Sequence, residues 1–109
     1  RTLVQNILRD KKPEAKLVLN LPPHPTENPS KINCGYLGNV LSAVEYVPVV
    51  AKEFGLDMID VFGSSLLGAD NEDVMQPVDG LHFAKLGYTQ LAVCIGARLV
   101  ELYPELFND

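Results

Sequence analysis

An α/β fold with two parallel strands is what the 109 residues predict, and three features of the chain carry that prediction. Two short apolar runs, from Lys16 to Leu21 and from Asp57 to Phe62, are nearly continuous, as strands covered on both faces are. The stretch between them holds a long helical stripe, which is what a parallel crossover requires. Helical patterns also precede the first run and come after the second. The order is helix, strand, helix, strand, helix, with no internal repeat or low-complexity tract.

Each element has its own signals. Leu3, Val4, Ile7 and Leu8 fall at helical spacing, Arg9 to Lys12 close that segment, and Pro13 blocks its continuation. After the first strand, Pro22, Pro23, Pro25 and Pro29 deny the backbone a ladder, so the segment reads as a loop. Leu37, Val40, Leu41, Val44, Val47, Ala51 and Phe54 then form one apolar stripe ending at Gly55, a natural helix stop. Pro48 interrupts the stripe, so either the helix kinks there or a second helix begins there. Residues 63–78 are rich in Gly, Asp and Asn and read as a loop. Leu91, Ile95, Leu99 and Leu102 lie on one face of a last helix, which Pro104 ends.

Composition narrows the function classes. The formal charge is −5, which gives a nucleic-acid partner no electrostatic support. No apolar run approaches the roughly 18 residues of a membrane span. The composition is that of a soluble globular protein. Two cysteines, Cys34 and Cys94, are too few for a disulfide scaffold and lean toward a reducing, cytoplasmic compartment. Cys94, inside an apolar helical pattern, reads as a buried free thiol. His24, Cys34, His82 and Cys94 lack ligand-pair spacing, and Asp70, Glu72 and Asp73 lack the order of a calcium loop. Neither metal nor cofactor is therefore expected.

The chemistry is concentrated in one turn, Val78-Asp79-Gly80-Leu81-His82, immediately ahead of the last helix. In a Ser-His-Asp mechanism a carboxylate holds one imidazole nitrogen while the other faces the nucleophile. An Asp three residues before a His on a Gly-containing turn fixes that relation locally. Asp79 and His82 are thus the candidate catalytic pair.

Those residues also carry a resemblance. The succession of elements, the Asp79-x-x-His82 block and the Gly87-Tyr88 pair a few residues on resemble the C-terminal half of the SGNH/GDSL-type serine hydrolases, esterases and lipases. The stretch from Val49 to Val61 is similar to that family's fourth helix running into its fifth strand. The resemblance covers residues 1–109 as the C-terminal portion of a single domain. It implies a three-layer α/β/α, flavodoxin-like fold and hydrolysis of a small ester or an O-acylated carbohydrate. His82 would be general base and Asp79 its orienting acid. The family's Gly-Asp-Ser nucleophile block does not occur here, and its oxyanion Gly and Asn belong to blocks upstream of Arg1. A partner is therefore expected, either a missing N-terminal half or a second copy, and the chain alone is expected to be inactive. Ala84 also stands where the family often has a Ser or Thr that caps the helix.

Other residues compete for a role. Ser64 and Ser65 are tempting nucleophiles, but Gly63-Ser64-Ser65-Leu66-Leu67 lacks the second Gly of a nucleophile elbow, so they read as loop or cap serines. Gly35, Gly38 and Asn39 open the long helix, where they serve the backbone. His24 lies in the loop after the first strand, at an end where α/β sheets gather ligands, and is a candidate substrate contact. Tyr46, Tyr88 and Tyr103 read as packing residues with solvated hydroxyls. Two alternatives stand beside the esterase: a non-catalytic truncated chain acting in assembly, and an unrelated βαβ binding module. A two-stranded parallel sheet leaves apolar edges, so the isolated chain is expected to be aggregation-prone, molten or dimeric.

Overall fold

A computed structural model describes residues 1–25, 30–31, 35–64 and 82–108. In chain order these form α1 (Thr2–Asp10), β1 (Val18–Asn20), α2 (Leu37–Glu53), β2 (Asp57–Ile59), α3 (Lys85–Leu102) and a 3₁₀ turn (Pro104–Leu106). The predicted α/β class and element order hold. β1 and β2 are parallel neighbours, with Val18 opposite Asp57, Leu19 opposite Met58 and Asn20 opposite Ile59.

Both strands are shorter than their apolar runs. One further ladder bond, from Leu21 N–H to the Ile59 carbonyl at 2.9 Å, extends the pair. Pro22 and Pro23 then offer no N–H, so pairing stops where the donors run out. At the other end, the turn at Gly55 and Leu56 delivers the chain into β2 only at Asp57, which leaves Lys16 and Leu17 outside the ladder.

Helices cover both faces of the sheet. Val18 packs against Ile59 and Val61, together with Leu91, Cys94, Ile95 and Leu99 of α3. Leu19, one residue on, points the opposite way and shares a shallow groove with Val4 of α1 and with Val47 and Val50 of α2. Val50, Ala51 and Val4 are buried there, while Ile59 and Val61 form the buried centre on the α3 side. Cys94 is a free thiol, half-buried against that centre.

Of the two possibilities at Pro48, the second helix is not what forms: α2 is a single helix that includes the proline. The missing proline N–H leaves the Val44 carbonyl without its helical donor. The packed turn just beyond, with Val50 and Ala51 buried, carries the helix onward to Glu53. Gly55 then ends it at φ +66°, the left-handed conformation that lets Leu56 N–H reach the Ala51 carbonyl and Gly55 N–H reach that of Lys52.

α3 is pinned at both ends. Phe83, just ahead of it, packs on the Ile59–Val61 pair. Tyr103, just past it, donates its hydroxyl to Asp57 at the start of β2. The helix therefore runs back along β2, from its carboxyl end to its amino end. Tyr103 departs from expectation: its ring is buried and its hydroxyl is bonded to a carboxylate instead of solvated. Tyr46 and Tyr88 remain exposed, the first beneath the Arg1 guanidinium and the second edge-on to Phe83. No helix among the described residues is long and apolar enough to cross a membrane.

Candidate active site

Two parallel strands release their chains at the same edge of the sheet, so the loops after β1 and β2 start side by side. After β1 the chain turns through Leu21, Pro22, Pro23, His24 and Pro25. Leu21 and Pro25 are buried, so this loop is held by packing on either side of His24. After β2, Asp60 accepts the Gly63 N–H on Oδ1 at 2.8 Å, and Ser64 N–H donates to the Val61 carbonyl at 3.1 Å. The turn is so close that a Cβ on Gly63 would lie 2.5 Å from Asp60 Oδ2.

The two loops meet through their rings. His24 and Phe62 stack with centroids 5.1 Å apart and planes 26° from parallel. Asn20 lies opposite Ile59, so the loops that carry His24, four residues on, and Phe62, three residues on, start side by side. His24 Nδ1 lies 2.7 Å from the Pro25 carbonyl oxygen. A carbonyl can only accept, so Nδ1 carries the proton in that bond.

His82 lies in the segment that leads into α3. Its side chain is exposed, whereas the neighbouring Phe83 is half-buried on the Ile59–Val61 pair and meets Tyr88 edge-to-face at 5.6 Å. Phe83 anchors the segment on which the exposed His82 sits. Ala84 is the N-cap of α3, with φ −73° and ψ 174°, and no side-chain cap bond is made there. The anchoring expected of a capping hydroxyl falls to Phe83. The backbone bond from Tyr88 N–H to the Ala84 carbonyl at 3.1 Å begins the helical ladder.

Asp79, Ser65 and Cys34 lie outside the described residues, as do Asp70, Glu72 and Asp73. Ser64 is half-buried in the turn after β2, in keeping with a loop serine. Gly38 and Asn39 are exposed in the first turn of α2, where the Gly38 carbonyl accepts the Ser42 hydroxyl at 3.2 Å, and Gly35 is exposed just before it. Two residues escaped the sequence reading. Phe62 appeared there only as the last residue of an apolar run, and Phe83 not at all. The signal available for each was an aromatic side chain at the boundary between a strand or helix and a loop.

The described candidate residues are thus a stacked, hydrogen-bonded imidazole and a tight Asp-closed turn in the loops after β1 and β2, and a second imidazole on the anchored segment that leads into α3. No family model, no curated protein and no solved structure matches the chain.

Proposed function

We propose that this chain supplies the imidazole and carboxylate of a serine esterase belonging to the three-layer α/β/α SGNH/GDSL type. The observation that carries the reading is the pairing of a packed Phe83 with an exposed His82 at the start of α3, a helix that runs back from the carboxyl end of β2. Ligands in open α/β sheets gather beyond that end. In this mechanism His82 takes the proton from a serine hydroxyl as its oxygen attacks the ester carbonyl. It then returns the proton to the leaving alkoxide, and repeats the cycle with water to release the acid. Asp79 orients the ring and stabilises the imidazolium. The serine and the oxyanion donors come from a polypeptide segment carrying a Gly-Asp-Ser block, a sequence these 109 residues do not contain. The substrates are carboxylic esters of small or carbohydrate-linked alcohols, and no cofactor is required.

The missing Gly-Asp-Ser favours one second reading, a non-catalytic chain that acts in assembly. One experiment separates the two: assay of the product of the reading frame that encodes this chain, with and without His82→Ala, on an activated acetate ester. The esterase reading expects hydrolysis that falls by about 10³-fold or more on substitution. Hydrolysis unaffected by His82→Ala overturns it, and no hydrolysis by either protein supports the assembly role. Labelling of the isolated chain by a fluorophosphonate would contradict a nucleophile supplied from elsewhere.

A further inference from the structure

Helix α3 is apolar on two sides. Leu91, Cys94, Ile95 and Leu99 pack on Ile59 and Val61, so the opposite face should be polar, as it is on a helix that borders solvent. It is not. Leu86, Val93 and Val100 recur there every seven residues and remain 48%, 53% and 48% exposed. The Thr89 hydroxyl, between the first two, is turned back to the Lys85 carbonyl at 3.1 Å, so it asks for no partner across the face. Gly96 lies on the same side, between Val93 and Val100. A Cβ there would meet nothing within 4 Å, and its φ is not left-handed. Nothing within the chain thus calls for the weakest helix former after proline in the middle of a helix.

We infer that this face seats the same face of a second copy of the chain, the two helices antiparallel about a two-fold axis through Val93. Charge decides the occupant. Leu86 and Val100 each lie seven residues from Val93, and Lys85 and Glu101 each lie eight. Turning the face end for end therefore sets apolar against apolar, and the lysine of one copy toward the glutamate of the other. A right-handed crossing, the hand of the commonest class of helix packing, brings those two flanks together. Both residues are exposed, and Glu101 holds Arg98 Nη1 at 2.8 Å on Oε1, so its Oε2 can take the lysine. A parallel pair would instead set like charges side by side. Association here leaves the sheet edges aside and does not depend on the esterase reading. One helix face about 27 Å long is small for a specific interface, so the dimer should dissociate in the micromolar range.

Sedimentation of the product of the encoding reading frame should show a reversible monomer–dimer equilibrium. Val93→Glu sets a charge on the axis and should leave a monomer with an unchanged circular dichroism spectrum, since the position is exposed. Lys85→Glu and Glu101→Lys should each raise the dimer dissociation constant about 5- to 30-fold, and the double variant should return it to within about 3-fold of native. Each single substitution suits the helix dipole better than the native residue does, so weaker pairing would not come from a poorer helix. The charge variants decide the matter even where Val93→Glu disturbs the fold. A monomer at every concentration up to about 1 mM overturns the inference. So does a dimer indifferent to Val93→Glu, which would be held elsewhere, and so does a double variant no tighter than the single ones.

Discussion

The hydroxyl of Tyr103 donates to Asp57 Oδ2 at 2.6 Å, joining the residue just past α3 to the residue that opens β2. Across the ring lies the Lys16 ammonium, 5.7 Å from the centroid, so the start of the sheet and the end of the last helix close on one aromatic side chain. The hydrogen bond to Asp57, then burial, pushes the Tyr103 hydroxyl up to about 12.

Replacing Tyr103 by Phe should test this clamp directly. The ring and its contact with Lys16 survive, but Asp57 loses the donor to its carboxylate. A bond to a charged acceptor contributes about 1.5–3 kcal/mol, and a loss in that range is expected in urea unfolding. A change below about 0.5 kcal/mol, the ordinary level for a surface substitution, would show that the clamp does little.

The same bond gives stability an alkaline limit. The folded state holds the Tyr103 proton more tightly than the unfolded chain does, where the ordinary value is 10. Its contribution is therefore complete below pH 10 and is lost as pH rises toward 12, when a phenolate would face the Asp57 carboxylate. Thermal melts across that window should decline more steeply for the native protein than for Tyr103→Phe. Parallel declines would contradict the assignment.

Ala84 offers a gain. Its extended φ and ψ are those of an N-cap residue, yet alanine supplies no oxygen to the open amides of the first turn. Ala84→Ser should stabilise the protein by about 0.5–2 kcal/mol, read from the unfolding midpoint. On the esterase proposal, hydrolysis by the product of the encoding reading frame should be retained, since the segment is already anchored next door.

Removing that anchor is the complementary substitution. Phe83→Ala deletes the packing on Ile59 and Val61 and the edge contact with Tyr88. Because the ring is only half-buried, a cost of about 2–3 kcal/mol is expected, at the low end for a core aromatic. On the esterase proposal, hydrolysis by the product of the encoding reading frame should drop further than the loss of folded protein explains, and Phe83→Leu should recover most of both. Full activity per folded molecule in Phe83→Ala would separate the anchor from the site.

Which of these relationships the sequence reveals depends on their range. Gly55 is legible as a helix stop because the left-handed turn it makes is a property of one residue. The apolar face of α3 is legible because Leu91, Ile95 and Leu99 repeat locally. Strand ends are less so: where pairing begins and stops depends on the partner strand and on the prolines after Leu21. The Tyr103–Asp57 bond spans 46 positions and leaves no local trace. The ring pair at His24 and Phe62 emerges only once the register of Asn20 with Ile59 is known. His82 could be singled out from its spacing to Asp79, but the anchoring of its segment rests on the packing of Phe83 against Ile59 and Val61.

Solvent accessibility alone would mislead anyone designing a mutant library for this chain. Position 63 faces water, yet a single methyl there would collide with the carboxylate that its own amide holds in place. That carboxylate is the end of an exposed side chain, so a residue larger than glycine at this position costs mainly the hydrogen bond that closes the turn.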